Sequence, residues 1–299
     1  MTDAAERLLR ERSQAREDRD FARADALRDE LRALGWEVQD SASGSALRPA
    51  LPDAPASTGY ADPDHLASLL DQPATLDASL VLVAEEHADD LERFLRALAE
   101  HPTSDSTELI VVSNAPSYDV AGMIPSDATL LATSARLGWA DAVNLGLRRS
   151  LGGVAALIDT SVEPTGDFVS PLLAAFDDAS VGIAGGWGLA TENGRQFEEA
   201  APGPVHAVEA YCLAVRREAL RAVGGFDPHF RFYRNADIDF SFAVRDAGWR
   251  AVAVELPLVR HEHRGWTALP DAERDRLSKR NFYRYLKRWG DRPELLVIR

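Results

Sequence analysis

The chain has 299 residues, of which 45% are hydrophobic, and it carries a formal net charge of −15. This length and apolar content predict one large soluble domain or two modest ones. The surplus of acidic side chains argues against broad, nonspecific nucleic-acid binding, because neutralising phosphate groups takes an excess of Lys and Arg.

Apolar runs and cysteine usage indicate where the protein works. The longest apolar runs, such as residues 78–84, are far shorter than the ~20 residues that span a bilayer, so neither a membrane helix nor a signal peptide is predicted. The single cysteine, Cys212, excludes an internal disulfide and fits a reducing cytoplasm. We therefore expect a cytoplasmic protein, with peripheral association at a membrane left open.

The first segment, residues 4–34, has the composition of helix. It is rich in Ala, Arg, Asp, Glu and Leu and contains neither Pro nor Gly. Apolar residues recur at three- and four-residue steps from Phe21 to Leu34 and form one stripe. The pattern predicts a second helix that ends at Gly35, with the first helix folded back upon it.

This N-terminal segment also resembles part of a known family. Residues 16–48 contain DFARADALRDEL, ALGWEVQD and GSALR, and are similar to the C-terminal helical piece of bacterial cysteinyl-tRNA synthetases. The resemblance implies a helical hairpin over residues 1–48, which in that family belongs to the anticodon-side tail. No synthetase catalytic signature accompanies it, so aminoacylation is not expected. RNA contact by the hairpin stays open beside a purely structural role.

Residues 49–75 have a different composition, rich in Ser, Pro, Ala and Asp. Prolines recur too closely for regular structure, at Pro49, Pro52, Pro55, Pro63 and Pro73. We predict a partly extended linker here.

From residue 76 onward, short apolar runs alternate with amphipathic stretches. Strands are predicted over residues 79–84, 108–113, 128–133 and 154–159, with helices between them. This alternation predicts an α/β domain over residues 76–299, with a mainly parallel sheet covered by helices on both faces. Ligands of such sheets bind beyond the carboxyl ends of the strands.

Polar residues lie at the ends of these predicted strands. Glu85 and Glu86 follow the first strand, Asn114 follows the second, and Asp159 is the last residue of the fourth. An Asn and an Asp that converge on one crevice could hold a base or ribose and a metal ion. Asn and Asp are also common turn formers, so each of them alone indicates little.

A later segment, residues 232–250, places two carboxylates in the first turn of a predicted amphipathic helix. These are Asp237 and Asp239. A carboxylate at this position is stabilised by the free N–H groups and the helix dipole. From the helix pattern alone, the pair can be a helix cap or a catalytic group.

The order and spacing of these motifs resemble glycosyltransferase family 2, whose members use nucleotide sugars and have the GT-A fold. The resemblance spans residues 76–289. The matching stretches are IVVSNAPS, LGWADAVNLGLRRS, LIDTSVEPTGDFV, VEAYCLAVRREALRAVGGFDPHF, NADIDFS, LVRHEHRG and RNFYRYLKRWG.

The resemblance implies an inverting, metal-dependent transfer of a hexose or deoxyhexose to a hydroxyl group. The donor-binding residues that it implies are Glu85, Asn114, Asp141, Asn144 and Asp159. The cofactor that it implies is Mn²⁺ or Mg²⁺, with Asp159 and His261 as the implied ligands and His263 as the alternative imidazole. Because His is an unusual ligand for Mg²⁺, Mn²⁺ is favoured.

The same resemblance implies roles on the acceptor side. Asp237 matches the base that removes the proton from the acceptor hydroxyl. Supporting roles fall to Asp239, Arg216 and Trp187. The implied partners are a nucleotide-sugar donor and an acceptor that is a saccharide, a lipid-linked compound or a small molecule. The oligomeric state is left open.

Several positions depart from the family pattern, and four of them bear on whether turnover is retained. Ser113 occupies a position where family members commonly have an acidic residue that helps to bind the nucleobase of the donor. Ser161 occupies a position where a second acidic residue could follow Asp159. Ala210 replaces a Gly and Ala236 replaces a Glu. These departures leave a second interpretation open, namely a catalytically silent binding or scaffold protein whose N-terminal hairpin contacts RNA or protein.

Overall fold

The computed structural model describes residues 3–18, 20–34, 36–41, 44–49 and 59–298. The chain divides into two compact units, Met1–Thr58 and Gly59–Arg299. Among the described residues, no helix combines the length and the apolar character that crossing a bilayer requires.

The first unit contains the predicted helical hairpin and, in addition, a β-hairpin. Helices α1 (Asp3–Glu17) and α2 (Phe21–Ala33) precede the antiparallel strands β1 (Trp36–Ser41) and β2 (Gly44–Pro49). Their shared core is made of small and aliphatic side chains, namely Ala5, Leu8, Ala15, Ala24, Leu27, Leu31, Val38 and Leu47. The β-hairpin was not predicted from the sequence. Leu34, the last residue of the predicted stripe, follows the end of α2 and is 52% exposed.

The second unit alternates strands and helices, as predicted. Its strands are β3 (Leu76–Ala84), β4 (Thr107–Ser113), β5 (Thr129–Ala132), β6 (Gly152–Ile158), β7 (Val162–Pro164), β8 (Val181–Gly185), β9 (Gly188–Ala190), β10 (Glu198–Ala200), β11 (Gly203–Val205), β12 (Ala207–Val208), β13 (Cys212–Arg216), β14 (Arg250–Ala253) and β15 (Leu258–Arg260). Its helices are α3 (Ala88–Glu100), α4 (Trp139–Arg149), α5 (Val169–Ala174), α6 (Arg217–Val223), α7 (Ala236–Asp246), α8 (Arg264–Thr267) and α9 (Asp271–Trp289).

Within residues 59–298 the central sheet has eight strands in the order β11–β14–β8–β13–β6–β3–β4–β5. Strands β6, β3, β4 and β5 run parallel to one another, and β14 is parallel to β8. Strand β13 is inserted antiparallel between β6 and β8. The predicted α/β architecture with a mainly parallel sheet is therefore confirmed. Because β13 is inverted, the residues that precede it lie at the edge where β3, β4 and β6 end.

Helices cover both faces of this sheet, as alternate residues of β3 show. Leu80 and Leu82 belong to the cluster that contains Leu91 of α3. Val81 points to the opposite face, against α4 at Gly146, where a Cβ atom would lie 2.4 Å from Val81 Cγ1. A glycine is therefore needed at position 146 for the close approach of helix and sheet.

The second unit begins before the predicted linker ends. Arg217 is 4% exposed, and its guanidinium donates hydrogen bonds to the backbone carbonyls of Leu69, Leu70 and Gln72. It also donates to the carbonyl of Gly152, at the start of β6. Residues 59–75 are thus tied to the sheet by an arginine that is distant in sequence, which the composition of the segment does not reveal.

Candidate active site

Two clefts open at the edge where β3, β4 and β6 end. The first, called the strand-end cleft, has a volume of about 310 Å³ and is lined by residues that include Glu85, Glu86 and Arg136. The second, called the α7 cleft, has a volume of about 390 Å³ and is lined by residues that include Glu209 and Asp237. The two clefts share the lining residues Trp139, Asp159, Ala210, Tyr233 and His263. Ligands in the two clefts would therefore meet at Asp159.

Asp159 directly follows β6 and is held by two neighbours. Its Oδ1 accepts hydrogen bonds from the Ser161 backbone N–H at 2.8 Å and from the Ser161 hydroxyl at 2.5 Å. Its Oδ2 lies 3.3 Å from Nε2 of His263. Burial opposes ionisation of Asp159, but the contacts with His263 and Ser161 outweigh it and hold the pKa of the carboxyl below its usual value.

His263 is oriented by aromatic contacts. Its ring stacks on Tyr233 at a centroid distance of 4.3 Å and meets Tyr211 edge-on at 6.2 Å. Burial lowers the pKa of His263, but the hydrogen bond and the charge of Asp159 prevail and raise it. Its Nδ1 is buried without a hydrogen-bond partner in the part of the chain that the structure describes.

The structure does not bring His261 to Asp159. Its Nε2 lies 2.6 Å from Oε2 of Glu163, and its backbone N–H donates to the carbonyl of Ser161. Because β15 pairs antiparallel with β7, residue 261 lies beside Ser161, and His263, two residues further on, lies beside Asp159. The imidazole that the structure places with Asp159 is therefore that of His263.

Asn114 lies buried beneath the strand-end cleft and supports the residues that line it. It is fully buried, and its Nδ2 donates to Glu85 Oε1 at 2.9 Å, while its Oδ1 accepts from the Leu137 N–H at 2.8 Å. Glu85 and Glu86 line the cleft itself, and Arg136 lies 3.1 Å from one carboxylate and 3.2 Å from the other. Asn114 thus orients Glu85 and the loop before α4.

Asp141 and Asn144 lie apart from both clefts. The two residues share one face of α4 and line a separate hollow. Asn144 is engaged by the backbone of Phe226, to which it donates at 2.8 Å and from which it accepts at 2.9 Å. From this helix, Trp139 at the first turn is the residue that lines the clefts. The expectation that Asp141 and Asn144 line the donor site does not agree with this placement, because the turn of the helix carries them to another side.

Asp237 lines the α7 cleft at the start of α7. Its Oδ2 accepts a hydrogen bond from the Ala210 N–H at 3.2 Å, and its Oδ1 accepts one from the Ile238 N–H at 2.9 Å. Burial raises the pKa of the carboxyl, against the effect of these two hydrogen bonds. The carboxylate is therefore fixed in position and made more basic than an ordinary Asp.

Asp239 has its carboxylate turned towards α9. It is 2% exposed, accepts a hydrogen bond from Arg288 Nη1 at 2.8 Å and accepts another from Trp289 Nε1 at 2.8 Å. Burial raises the pKa of Asp239, and Arg288 opposes this shift. Asp239 thus ties α7 to the C-terminal helix, and it does not line the α7 cleft.

Glu209 is a cleft residue that sequence reasoning missed. Its Oε2 accepts a hydrogen bond from Arg260 Nη1 at 2.9 Å, and Arg260 also binds Glu199 at 2.9 Å. Burial, with a further contribution from the charge of Asp237, raises the pKa of Glu209 to about 7. Its only signal in the sequence is its position just before β13, which carries information only once that strand is known to be inverted.

Trp187 supports this arrangement from one side. The guanidinium of Arg260 lies over the Trp187 ring, 5.0 Å from its centroid, and 5.2 Å from that of Tyr211. Trp187 and Tyr211 meet edge to face at 5.7 Å. Trp187 therefore positions Arg260, which in turn holds Glu209.

Arg216 lies at the opposite end of the strands, away from both clefts. It donates hydrogen bonds to the carbonyls of Val181 at 2.8 Å, Phe176 at 2.5 Å and Asp178 at 3.0 Å. Because β13 runs antiparallel to β6, its last residue pairs with Val154 near the start of β6. The expectation of Arg216 on the acceptor side therefore does not agree with this placement.

Comparison with known proteins identifies the family of the second unit. The sequence profile of glycosyl transferase family 2 matches residues 79–240, which is more than half of the chain. The chain belongs to glycosyl transferase family 2. The resemblance inferred from the motif order is thereby confirmed, and with it a glycosyltransferase as the class of protein.

Solved structures share the fold of this family 2 protein. One is GalNAc-T7 with UDP, GalNAc and Mn²⁺, with a TM-score of 0.58 and 14% identity over 73% of this chain and 49% of the other. Another is the mannosyltransferase PcManGT from Pyrobaculum calidifontis in complex with GDP-Man and Mn²⁺, with a TM-score of 0.55 and 20% identity over 76% of this chain and 70% of the other. At these identities the similarity establishes the GT-A fold.

The N-terminal unit of this family 2 protein has separate relatives. The profile of the cysteinyl-tRNA ligase anticodon binding domain matches residues 1–47. The cysteine–tRNA ligase of Nitratidesulfovibrio vulgaris (strain DSM 19637 / Miyazaki F) is 62% identical over 40 residues, which are 13% of this chain and 8% of the ligase. That of Exiguobacterium sibiricum is 50% identical over 44 residues, 15% of this chain and 10% of the ligase. The matched stretch is thus a small part of those ligases.

Proposed function

We propose that this protein transfers a sugar from a nucleotide-diphosphate sugar to an acceptor hydroxyl, with inversion at the anomeric carbon. The observation that carries the proposal is the meeting of the two clefts at Asp159 and His263. The donor occupies the strand-end cleft and the acceptor occupies the α7 cleft. The anomeric carbon then lies between the Asp159 end of one cleft and the Asp237 end of the other.

The charges of the strand-end cleft call for a cation when a diphosphate binds. Arg136 is paired with Glu85 and Glu86, and Arg264 is paired with Asp89 and Asp90. Little net positive charge is therefore left to meet the donor. A divalent cation, when bound, would supply this charge and would stabilise the departing nucleoside diphosphate.

Asp159 and His263 are suited to hold this cation. Asp159 is kept ionised, and Nε2 of His263 already faces its Oδ2. Among the residues that the structure describes, no group of three or more His, Cys, Asp or Glu side chains is arranged as a metal site. The two side chains would therefore share the cation with water and the donor phosphates, as is usual for Mg²⁺, and the imidazole favours Mn²⁺. PcManGT and GalNAc-T7, which share the fold, were solved with Mn²⁺.

Asp237 acts as the base. The acceptor oxygen forms a bond to the anomeric carbon while the bond from that carbon to the phosphate oxygen breaks, and the hydroxyl proton passes to Asp237. The N–H groups of Ala210 and Ile238 hold the carboxylate for this step, and its raised pKa makes it a better proton acceptor.

A nucleotide-binding screen tests the proposal. UDP, GDP and dTDP are each added with Mn²⁺ or Mg²⁺, and the thermal stability is followed. A nucleotide at about 100 times its dissociation constant should stabilise the fold by ~2.7 kcal/mol. The effect should be lost in Asp159→Asn and kept in Asp127→Asn, a control at an exposed residue between β4 and β5. A complete panel without a thermal shift would contradict the proposal.

A further inference from the structure

Helix α9 carries a row of cationic side chains on its outer face. Lys279 and Arg280 follow Arg276 by three and four residues, Tyr283 follows them by four and three, and Lys287 follows Tyr283 by four, so the five residues lie on one side of the helix. We call these five residues the basic stripe. All of them are exposed, and the Tyr283 ring is 68% exposed. No Asp or Glu occurs between Arg276 and Trp289, although the chain as a whole has a net charge of −15.

Most of these charges are available to a partner. Arg276 is engaged by Glu273 of its own helix, at 2.8 Å. Lys279, Arg280 and Lys287 form no ion pair with any residue of the described ranges. Lys279 and Lys287 are also the only lysines of the chain, which otherwise uses Arg for its positive charges. Their compact, flexible ammonium groups suit contact with a surface of variable geometry.

The inner face of α9 is fixed on the protein. Asn281 donates hydrogen bonds to the carbonyls of Phe232 and Arg234, at 2.7 and 2.9 Å, and Tyr285 and Trp289 are buried. These contacts fix the orientation of the helix about its axis, so that the basic stripe faces outward. Phe282, next to Tyr283 in the sequence, lines the α7 cleft. The Tyr283 ring of the basic stripe lies 6.4 Å from the Phe282 ring, so the stripe reaches a residue that lines the cleft to which we assign the acceptor.

We propose that the basic stripe binds an anionic lipid surface and holds the α7 cleft beside it. Lys and Arg near an anionic bilayer are attracted to its headgroups, and an exposed Tyr is favoured at the interface between lipid and water. The stripe is about 16 Å long and straight, which fits a surface. Single-stranded nucleic acids are bound along grooves with several aromatic platforms, whereas this helix face offers one exposed ring.

Vesicle sedimentation with the full-length protein tests this inference. The vesicles are phosphatidylcholine with or without about one third phosphatidylglycerol, at low salt. We expect binding to the anionic vesicles only, and loss of that binding at about 0.5 M salt, where surface charges are screened. Neutralising the three free cations, in Lys279→Gln/Arg280→Gln/Lys287→Gln, should weaken it by about 100-fold. Tyr283→Ser should weaken it by a smaller factor.

A matched triple variant controls for the change in net charge. Arg23→Gln/Arg28→Gln/Arg96→Gln removes three exposed arginines outside α9 and should bind the vesicles as the unmodified protein does. Equal binding by the two triple variants would overturn the inference, as would equal binding to neutral vesicles. Tighter binding to a tRNA pool than to the vesicles, lost in the α9 variant, would overturn it in favour of an RNA surface. Vesicle binding requires neither donor nor turnover, so the result is independent of the proposed transfer reaction.

Discussion

At the scale of single residues, two carboxylates of α7 have opposite surroundings. Asp237 faces the α7 cleft and accepts hydrogen bonds from backbone N–H groups. Asp239, two residues later, faces α9 and is held by Arg288 and Trp289. Side chains two positions apart on a helix are separated by slightly more than half a turn, so one can face a site while the other faces the core.

The variants Asp237→Asn and Asp239→Asn should therefore fail in different ways. Asp237→Asn removes the proposed base, so we expect sugar transfer to fall by about 10²–10⁴-fold, with donor binding and thermal stability nearly unchanged. Asp239→Asn weakens the hydrogen bonds that the buried carboxylate accepts from Trp289 and from the exposed Arg288, and should cost about 1–2 kcal/mol of unfolding free energy. Transfer assays and urea denaturation separate the two effects. Full transfer activity in Asp237→Asn would contradict the assignment of the base.

Glu209 predicts a dependence of stability on pH. Its pKa is about 7 in the folded protein and about 4.5 as an ordinary Glu, so between these values the folded state binds more protons than the unfolded state. Its stabilising contribution is therefore present below pH ~4.5 and is lost as the pH rises to ~7, by up to about 3 kcal/mol. Glu209→Gln lacks this ionisation.

Urea denaturation of both proteins at several pH values measures the difference. The stability of Glu209→Gln relative to the unmodified protein should increase between pH ~5 and ~8. Parallel stability curves for the two proteins would show that Glu209 has an ordinary pKa.

His261 and His263 form a natural pair of variant and control. His263→Ala removes a proposed ligand of the cation, so we expect Mn²⁺-dependent nucleotide affinity to fall by at least about 10-fold. His261→Ala removes a group that contacts Glu163 instead and should leave that affinity unchanged. Calorimetric titration of each variant with a nucleotide and Mn²⁺ measures the effect. The reverse result would assign the ligand to His261.

At the scale of elements, the direction of β13 and the close packing of α4 on β3 determine which residues line the site. Inversion of β13 carries Glu209 to the cleft edge and Arg216 to the far edge. Helix α4 approaches β3 closely at Gly146 and thereby places Trp139 between the two clefts. Both features depend on packing between segments that are distant in sequence.

Gly146→Ala tests the close approach of α4. The added Cβ would lie 2.4 Å from Val81 Cγ1, in a part of the core where Val81 is fully buried. We expect a loss of about 1–3 kcal/mol of unfolding free energy, which outweighs the gain of ~1 kcal/mol in helix propensity. Gly153→Ala is the control, because its nearest atom would lie at 3.6 Å. Equal thermal stability of the two variants would contradict the close packing.

At the scale of the whole molecule, the chain joins two units that are similar to different protein families. The first has its own small core and is similar to a part of cysteine–tRNA ligases. The second has the large core of the sheet and contains both clefts. The lining of the clefts comes from residues 83–282, entirely within the second unit.

Residues 59–299 should therefore fold and bind nucleotide without the first unit. We expect the truncated protein to unfold cooperatively and to keep the nucleotide affinity of the full chain within about twofold, since no cleft residue is removed. A shorter piece that begins at residue 76 should be less stable, because Arg217 loses its partners at Leu69, Leu70 and Gln72. If residues 59–299 fail to bind nucleotide that the full chain binds, the first unit contributes to the site.

The local sequence pattern was sufficient to predict much of the secondary structure of this protein. Alternating apolar runs identified β3, β4, β5 and β6 and the helices α3 and α4, and the motifs placed Asp159 and Asp237 at a strand end and a helix start, where the structure has them. Both features depend on a few neighbouring residues, whose periodicity and turn chemistry are visible in the chain.

Tertiary structure decided which side chains meet. The direction of β13 places Glu209 in the α7 cleft and Arg216 away from it. The pairing of β15 with β7 places His263, and not His261, beside Asp159. The turn of α4 places Asp141 and Asn144 away from both clefts. Each outcome depends on pairing or packing between segments far apart in the chain. Residue spacing sets the period of a helix or strand, but only its neighbours in the fold set its direction and register.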